Sequence, residues 1–248
     1  MNIIEVSDYN EMSEQAANIV FQEIKCSKKL VLGLATGGTP LGFYKKLADQ
    51  VNEENISCKH IHTINLDEYV GLSEKNPNSY HYYMQRHLFQ HVPIPKEQTH
   101  LPKGNVSNLQ KECERYEDLI EGLGGVDIQL LGIGGNGHIG FNEPGTSFQS
   151  KTHIVNLTPS TREANARFFP NEDAVPKQAM TMGIDTIMRS KQIVLLASGE
   201  AKAQALYNFL YGSIEEENPV SVLKRHQNVT VIADTLALRL VDKIANHG

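Results

Sequence analysis

Short apolar-rich runs recur along this chain, at residues 30–35, 61–66, 126–131, 154–157, 193–197 and 229–233. Several of them are apolar at successive rather than alternate positions, which predicts strands of a sheet covered on both faces. Between them the spacing changes to a helical period over residues 11–25, 40–51, 79–91, 109–123, 201–210 and 235–245. Strand and helix in alternation predict an α/β fold: a doubly wound, mostly parallel sheet with helices on both faces. No repeat, charge block or Pro/Ser-rich linker interrupts the pattern, so residues 1–248 are expected to form a single domain.

Composition narrows the function. The chain has 23 Lys and Arg against 29 Asp and Glu, a net charge of −6, which argues against nucleic acid as a partner. No run of about 18 apolar residues is present to cross a bilayer, and the acidic first 15 residues do not read as a secretory signal. Cys26, Cys58 and Cys113 are widely spaced without a Cys-x-x-Cys, which fits neither a disulfide framework nor a zinc site. A cytoplasmic location is expected.

Rossmann-like sheets bind ligands outside the carboxyl ends of their strands, so the loops there carry the candidate chemistry. The first is Thr36-Gly37-Gly38-Thr39-Pro40. Thr39 reads as an N-cap and Pro40 as the first helical position, which would aim free N–H groups at an anion. The second is Asp67-Glu68-Tyr69, where alternation along an extended strand directs only one of the two carboxylates into the crevice. A half-buried acid there is a candidate general base.

The third loop, residues 132–145, contains Gly132-Ile133-Gly134-Gly135-Asn136-Gly137-His138 and continues through Phe141-Asn142-Glu143-Pro144. It satisfies G-x-G-x-x-G, but glycine and proline continue where a dinucleotide site needs a helix, so no nicotinamide or flavin is expected. A His and a Glu five residues apart suit an oriented imidazole. Arg167 and Lys202 are isolated cations near later strand ends that can neutralise a phosphate. The pairs His60/His62 and His87/His91 lack a third ligand, so no metal is expected.

Taken together, Thr36 to Pro40, Leu66-Asp67-Glu68-Tyr69-Val70-Gly71, Gly137 to Pro144, Thr161-Arg162 and Ala164 to Phe169 resemble the signatures of the glucosamine-6-phosphate deaminase family, in the right order over nearly the whole chain. The resemblance implies conversion of glucosamine 6-phosphate to fructose 6-phosphate and ammonia without metal or organic cofactor. It implies Asp67 as the base that moves the C2 proton of the open-chain sugar. His138 would open the pyranose ring, supported by Asn136 and Glu143. The phosphate would lie on Thr36, Gly37, Gly38 and Thr39 with Arg167 and Lys202, and Gly137 would offer its N–H beside the sugar.

Two departures qualify this. Asn136 stands where many members carry Asp, leaving the imidazole one carboxylate, Glu143, and shifting the pH dependence of ring opening. His153 and Val155 stand where members activated by N-acetylglucosamine 6-phosphate are basic, so simple saturation kinetics is expected. Monomer and homo-oligomer both stay open. Residues 154–180, with Asn171-Glu172-Asp173 and Pro176, break the regular alternation and suggest a lid. The rival readings are a 6-phosphogluconolactonase-type hydrolase on a related fold and a catalytically inert sugar-phosphate sensor. The second lacks room for a helix-turn-helix before residue 30.

Overall fold

Chain direction is set by the apolar runs, each of which becomes a strand that its neighbours cover. In the computed structural model, residues 1–166 and 169–241 are described. In order they form β1 (Asn2–Val6), α1 (Tyr9–Cys26), β2 (Leu30–Leu34), α2 (Leu41–Glu53), β3 (Ile61–Asn65), β4 (Asp67–Tyr69) and α3 (Tyr80–Met84). There follow β5 (Thr99–His100), α4 (Leu109–Gly122), β6 (Ile128–Gly132), β7 (His153–Asn156), α5 (Pro159–Ala166) and β8 (Gln178–Thr181). The last elements are α6 (Ile184–Met188), β9 (Gln192–Ala197), α7 (Ala203–Tyr211), β10 (Val229–Asp234) and α8 (Thr235–Leu238).

A seven-stranded sheet runs β1-β10-β9-β6-β2-β3-β5, with every pair parallel. Helices α1, α2 and α3 cover one face, where Phe43, Tyr44, Leu47 and Met84 meet Leu32 and Leu130. Helices α4, α6, α7 and α8 cover the other, where Tyr116, Ile187, Phe209 and Ala237 meet Leu131 and Leu195. Burial on both faces explains the apolar-rich runs: every residue of β2 and β10 is buried. From β1 at one edge the chain enters the middle of the sheet at β2, proceeds to β3 and β5 on one side, and then crosses to β6, β9 and β10 on the other, where β10 pairs with β1. The switch point therefore lies between the carboxyl ends of β2 and β6, where a crevice opens.

The expected doubly wound sheet is present, with one correction. The run at residues 154–157 is β7, which does not join the parallel sheet but pairs antiparallel with β8 in a second sheet of order β4-β8-β7. Its other two strands, β4 and β8, are short and one of them opens on two carboxylates, so periodicity did not separate them from loops. Edge strand β1 was also missed, because most of it is exposed and carries no apolar run. The segment expected as one helix at 79–91 is α3 continuing into a π-helical turn, Gln85–Phe89. The expected helix at 235–245 begins as α8, and its residues past 241 lie outside the described residues.

Candidate active site

The crevice at the switch point is a cavity of about 420 Å³ lined by the loop after β2, the start of β4, the loop after β6, two residues of α5, and single residues from α3 and the turn before α7. Two sheets meet there. Leu66 ends the first by donating its N–H to Leu34 O, and accepts from Met182 N at 2.6 Å as it enters the second. Asp67, the next residue, is thus held where the sheets cross, paired with Thr181 of β8.

Asp67 is buried, and among the described residues its Oδ1 has no hydrogen-bond partner. Burial, reinforced by the adjacent Glu68 charge and only partly opposed by the Thr36 hydroxyl, pushes its carboxyl up to about 8. Glu68 points away from the cavity, as strand alternation requires. It accepts from Tyr80 N and His81 N at 3.0 Å and from His81 Nδ1 at 2.8 Å, tying β4 to the start of α3. That tie brings Tyr80 to the cavity wall.

Across the cavity, the loop after β6 folds back on itself, with Gly134 N donating to His138 O and Gly137 N donating to Gly134 O. Gly134 is required here, since a Cβ would stand 2.3 Å from the His138 ring. Asn136 Oδ1 accepts from His138 N at 3.2 Å and from His138 Nδ1 at 2.7 Å, while Asn136 Nδ2 donates to Glu143 Oε2 at 2.8 Å. A carboxylate on one side and a backbone N–H on the other fix the amide's orientation, so Nδ1 carries a proton. Nε2 is then the nitrogen free to exchange one. Glu143 also accepts from Thr161 Oγ1 of α5. Burial opposes its ionisation, but donors from His138, Thr161 and Asn136 outweigh that and draw its carboxyl down to about 2.

Thr181 links the two halves. Its hydroxyl accepts from Phe141 N at 3.1 Å, and Asn142 Nδ2 donates to Met182 O at 2.9 Å. The loop carrying His138 is thereby stapled to the strand beside Asp67. A Cβ at Gly140 would come within 3.6 Å of Asp67 Oδ2.

The anion end is formed by Thr36, Gly37, Gly38, Thr39 and Lys202, all in the cavity wall. Tyr83 donates to Gly37 O at 2.6 Å and Tyr9 to Gly38 O at 3.2 Å, so the glycine turn is clamped from outside. Thr39 is not the cap expected from the sequence. Pro40 takes that position and no side chain caps α2, because the chain turns one residue later than the Thr-Pro pair suggested. Lys202 sits in the 3-10 turn Glu200–Lys202. Asp234, ending β10, accepts from Gly199 N at 3.0 Å and Ser198 Oγ at 2.5 Å and holds that turn in place.

Gly137 donates its N–H to Gly134 O in the turn before His138. Its role is the turn itself, at φ +86° and against Asn218. Arg167 lies outside the described residues. Of the expected lid, β7 and β8 are paired strands, while α5 contributes Thr161 and Asn165 to the wall. Tyr80, Asn165, Thr181 and Asp234 were not identified from the sequence as site residues. Each reaches the site only through long-range pairing, and no local pattern marks it. Among the described residues no group of three His, Cys, Asp or Glu is placed to hold a metal ion.

A buried carboxylate and a carboxylate-supported imidazole in the walls of one cavity, with a glycine turn and a lysine in the same wall, define an acid–base enzyme acting on a small anionic substrate. The sequence profile of the glucosamine-6-phosphate isomerases/6-phosphogluconolactonase family matches residues 7–232, and the chain belongs to that family. It is 56% identical to a glucosamine-6-phosphate deaminase of Geobacillus sp. (strain WCH70), over 97% of this chain and 96% of that one. It is 53% identical to glucosamine-6-phosphate deaminase 1 of Bacillus subtilis (strain 168), over 97% and 99% of the two. A solved monomeric glucosamine-6-phosphate deaminase superposes with a TM-score of 0.95 at 53% identity, covering 97% of this chain and all of that one. The 6-phosphogluconolactonase of Trypanosoma brucei superposes with a TM-score of 0.75 at 17% identity, a likeness of fold.

Proposed function

We propose that this protein converts glucosamine 6-phosphate and water to fructose 6-phosphate and ammonia, with Asp67 as the base and His138 as the ring-opening group. The observation that carries this is the placement of Asp67 and His138 in the walls of one cavity. Identity above 50% to deaminases over nearly the full chain supports the same reaction. The lactonase alternative rests on fold likeness alone.

In this reading His138 Nε2, with Nδ1 protonated and held by Asn136, takes the proton of the anomeric hydroxyl and delivers it to the ring oxygen as the bond from C1 to that oxygen breaks, exposing the open-chain aldehyde. Asp67 then removes the proton from C2. The enolamine formed is reprotonated at C1, giving an imine at C2 that water converts to the ketose as ammonia leaves. A buried base with a raised pKa is a stronger proton acceptor once ionised, which suits a weakly acidic C–H. Phosphate bound by the glycine turn, Lys202 and Arg167 lies remote from the reacting carbons and orients them. The chain needs no metal or organic cofactor for these steps. Residues 1–248 act as one unit in the cytoplasm on this reading, which the family match over 7–232 and the three free cysteines support. Among the described residues no helix is long and apolar enough to cross a membrane.

Purified protein is expected to release ammonia and fructose 6-phosphate in equal amounts from glucosamine 6-phosphate. Hydrolysis of 6-phosphogluconolactone with no ammonia from the amino sugar would favour the rival instead. Lys202→Ala is expected to raise KM and lower kcat/KM by about 10- to 100-fold, the usual worth of hydrogen bonds to a charged group, with kcat affected less. A variant with unchanged KM would place the phosphate elsewhere. With His153 and Val155 on β7, the rate is expected to follow a hyperbola in substrate. A sigmoidal curve that N-acetylglucosamine 6-phosphate straightens would show that activation operates after all.

A further inference from the structure

Glu68 is a buried carboxylate that takes no part in the steps above. It does not line the cavity, yet it adjoins the residue that does. Its oxygens accept from Tyr69 N at 2.8 Å, Tyr80 N and His81 N at 3.0 Å, and His81 Nδ1 at 2.8 Å. Such a set of donors holds the Glu68 carboxyl in one place. Among the described residues the imidazole of His81 is its only ion-pair partner.

We propose that Glu68, held by His81, is a positioning residue that sets how strong a base Asp67 is and places Tyr80 in the crevice wall. The proposal rests on the reading of Asp67 as the base, and it assigns a role to a pair that does not touch the sugar.

Groups from four elements besides its own stand around Asp67, with His138 and Lys202 further along the same cavity wall, and after burial the Glu68 charge is the next largest influence on it. Tyr44 of α2, Tyr80 of α3 and Tyr116 of α4 stand around it with Tyr69 of β4, all kept protonated because burial raises their phenols. Thr36 in the loop after β2 donates toward Asp67 and favours its ionised form. Glu68 alone among these opposes ionisation by charge. His81 moderates that charge, and its Nε2 lies 3.7 Å from the exposed Glu74, beside a second cleft that also holds Lys75 and Lys103.

The signs differ for the two partners. Asp67 works ionised, so turnover rises as pH climbs through its titration. Removing the Glu68 charge makes Asp67 easier to ionise, which moves the acidic limb to lower pH and, because the base is weaker, lowers the plateau. Removing the His81 N–H leaves the Glu68 charge less compensated, which moves the limb to higher pH.

The experiment measures kcat and KM of wild type, Glu68→Gln and His81→Leu on glucosamine 6-phosphate from about pH 5 to about pH 9, with Tm recorded for each. Relative to its own plateau, activity at the acidic end is expected to rise about threefold to tenfold in Glu68→Gln and to fall by a similar factor in His81→Leu. KM is expected to change little. Limbs that coincide with wild type, limbs that move in the same direction, or losses that merely track Tm would overturn the proposal. Should Glu68→Gln fail to fold, His81→Leu carries the test alone, since it keeps Glu68 and its three backbone bonds. A wild-type protein inert toward the sugar would defeat the reading of the reaction itself, an outcome distinct from unshifted limbs in active variants.

Discussion

Asp67→Asn is expected to lower kcat by on the order of 10² to 10⁴, the usual contribution of a general base. The amide keeps the shape of the carboxylate and its contact with Thr36, so KM should change little. The loss follows from charge. Asp67 lines the cavity, and its buried Oδ1 has no hydrogen-bond partner among the described residues that would hold a proton for it. With its carboxyl pushed up to about 8, chiefly by burial, kcat/KM of the wild type should climb as pH rises through that region. Below it Asp67 holds a proton and cannot act as a base, and Asp67→Asn should lack that limb. Unaltered turnover in the variant would remove Asp67 from the chemistry.

The second large effect is expected at His138. His138→Gln should lower kcat by on the order of 10² to 10³, since a glutamine can still hydrogen-bond but cannot carry a proton between ring oxygen and solvent. The structure explains why this imidazole suits the task. Asn136 fixes its tautomer from one side, and Glu143, drawn down to about 2, supplies a constant negative charge 3.6 Å from Nδ1. Asn136 thus relays between the imidazole and one carboxylate. An increase in KM with kcat retained would make His138 a binding group and remove it from proton transfer.

The parallel sheet was legible because its central strands are buried on both faces, which enriches them in apolar residues at successive positions. The site was legible wherever a loop follows such a strand directly. Thr36 to Thr39 follow β2 and His138 follows β6, so the switch point brings them together. Asp67 was legible as an acid at a strand end. What local pattern could not show is why it meets His138. That depends on Leu66 crossing from one sheet to the other and on Thr181 bridging β4 to the His138 loop. Thr181 closes a four-residue strand, Gln-Ala-Met-Thr, whose second to fourth residues are all buried, so no alternation marks it. Thr39 was misread for a different reason: its residue type suits a cap, but Pro40 takes that position.

Following the hydrogen on carbon 2 tests the account at its centre. Glucosamine 6-phosphate carrying deuterium at that carbon is supplied to wild type and to Asp67→Asn, and departure of the label is timed alongside ammonia release. The account predicts that wild type expels both together and that the substitution slows both by the same factor. Label leaving the variant at the wild-type rate, with only ammonia delayed, would mean that another group takes the proton and that the cavity does not work as described.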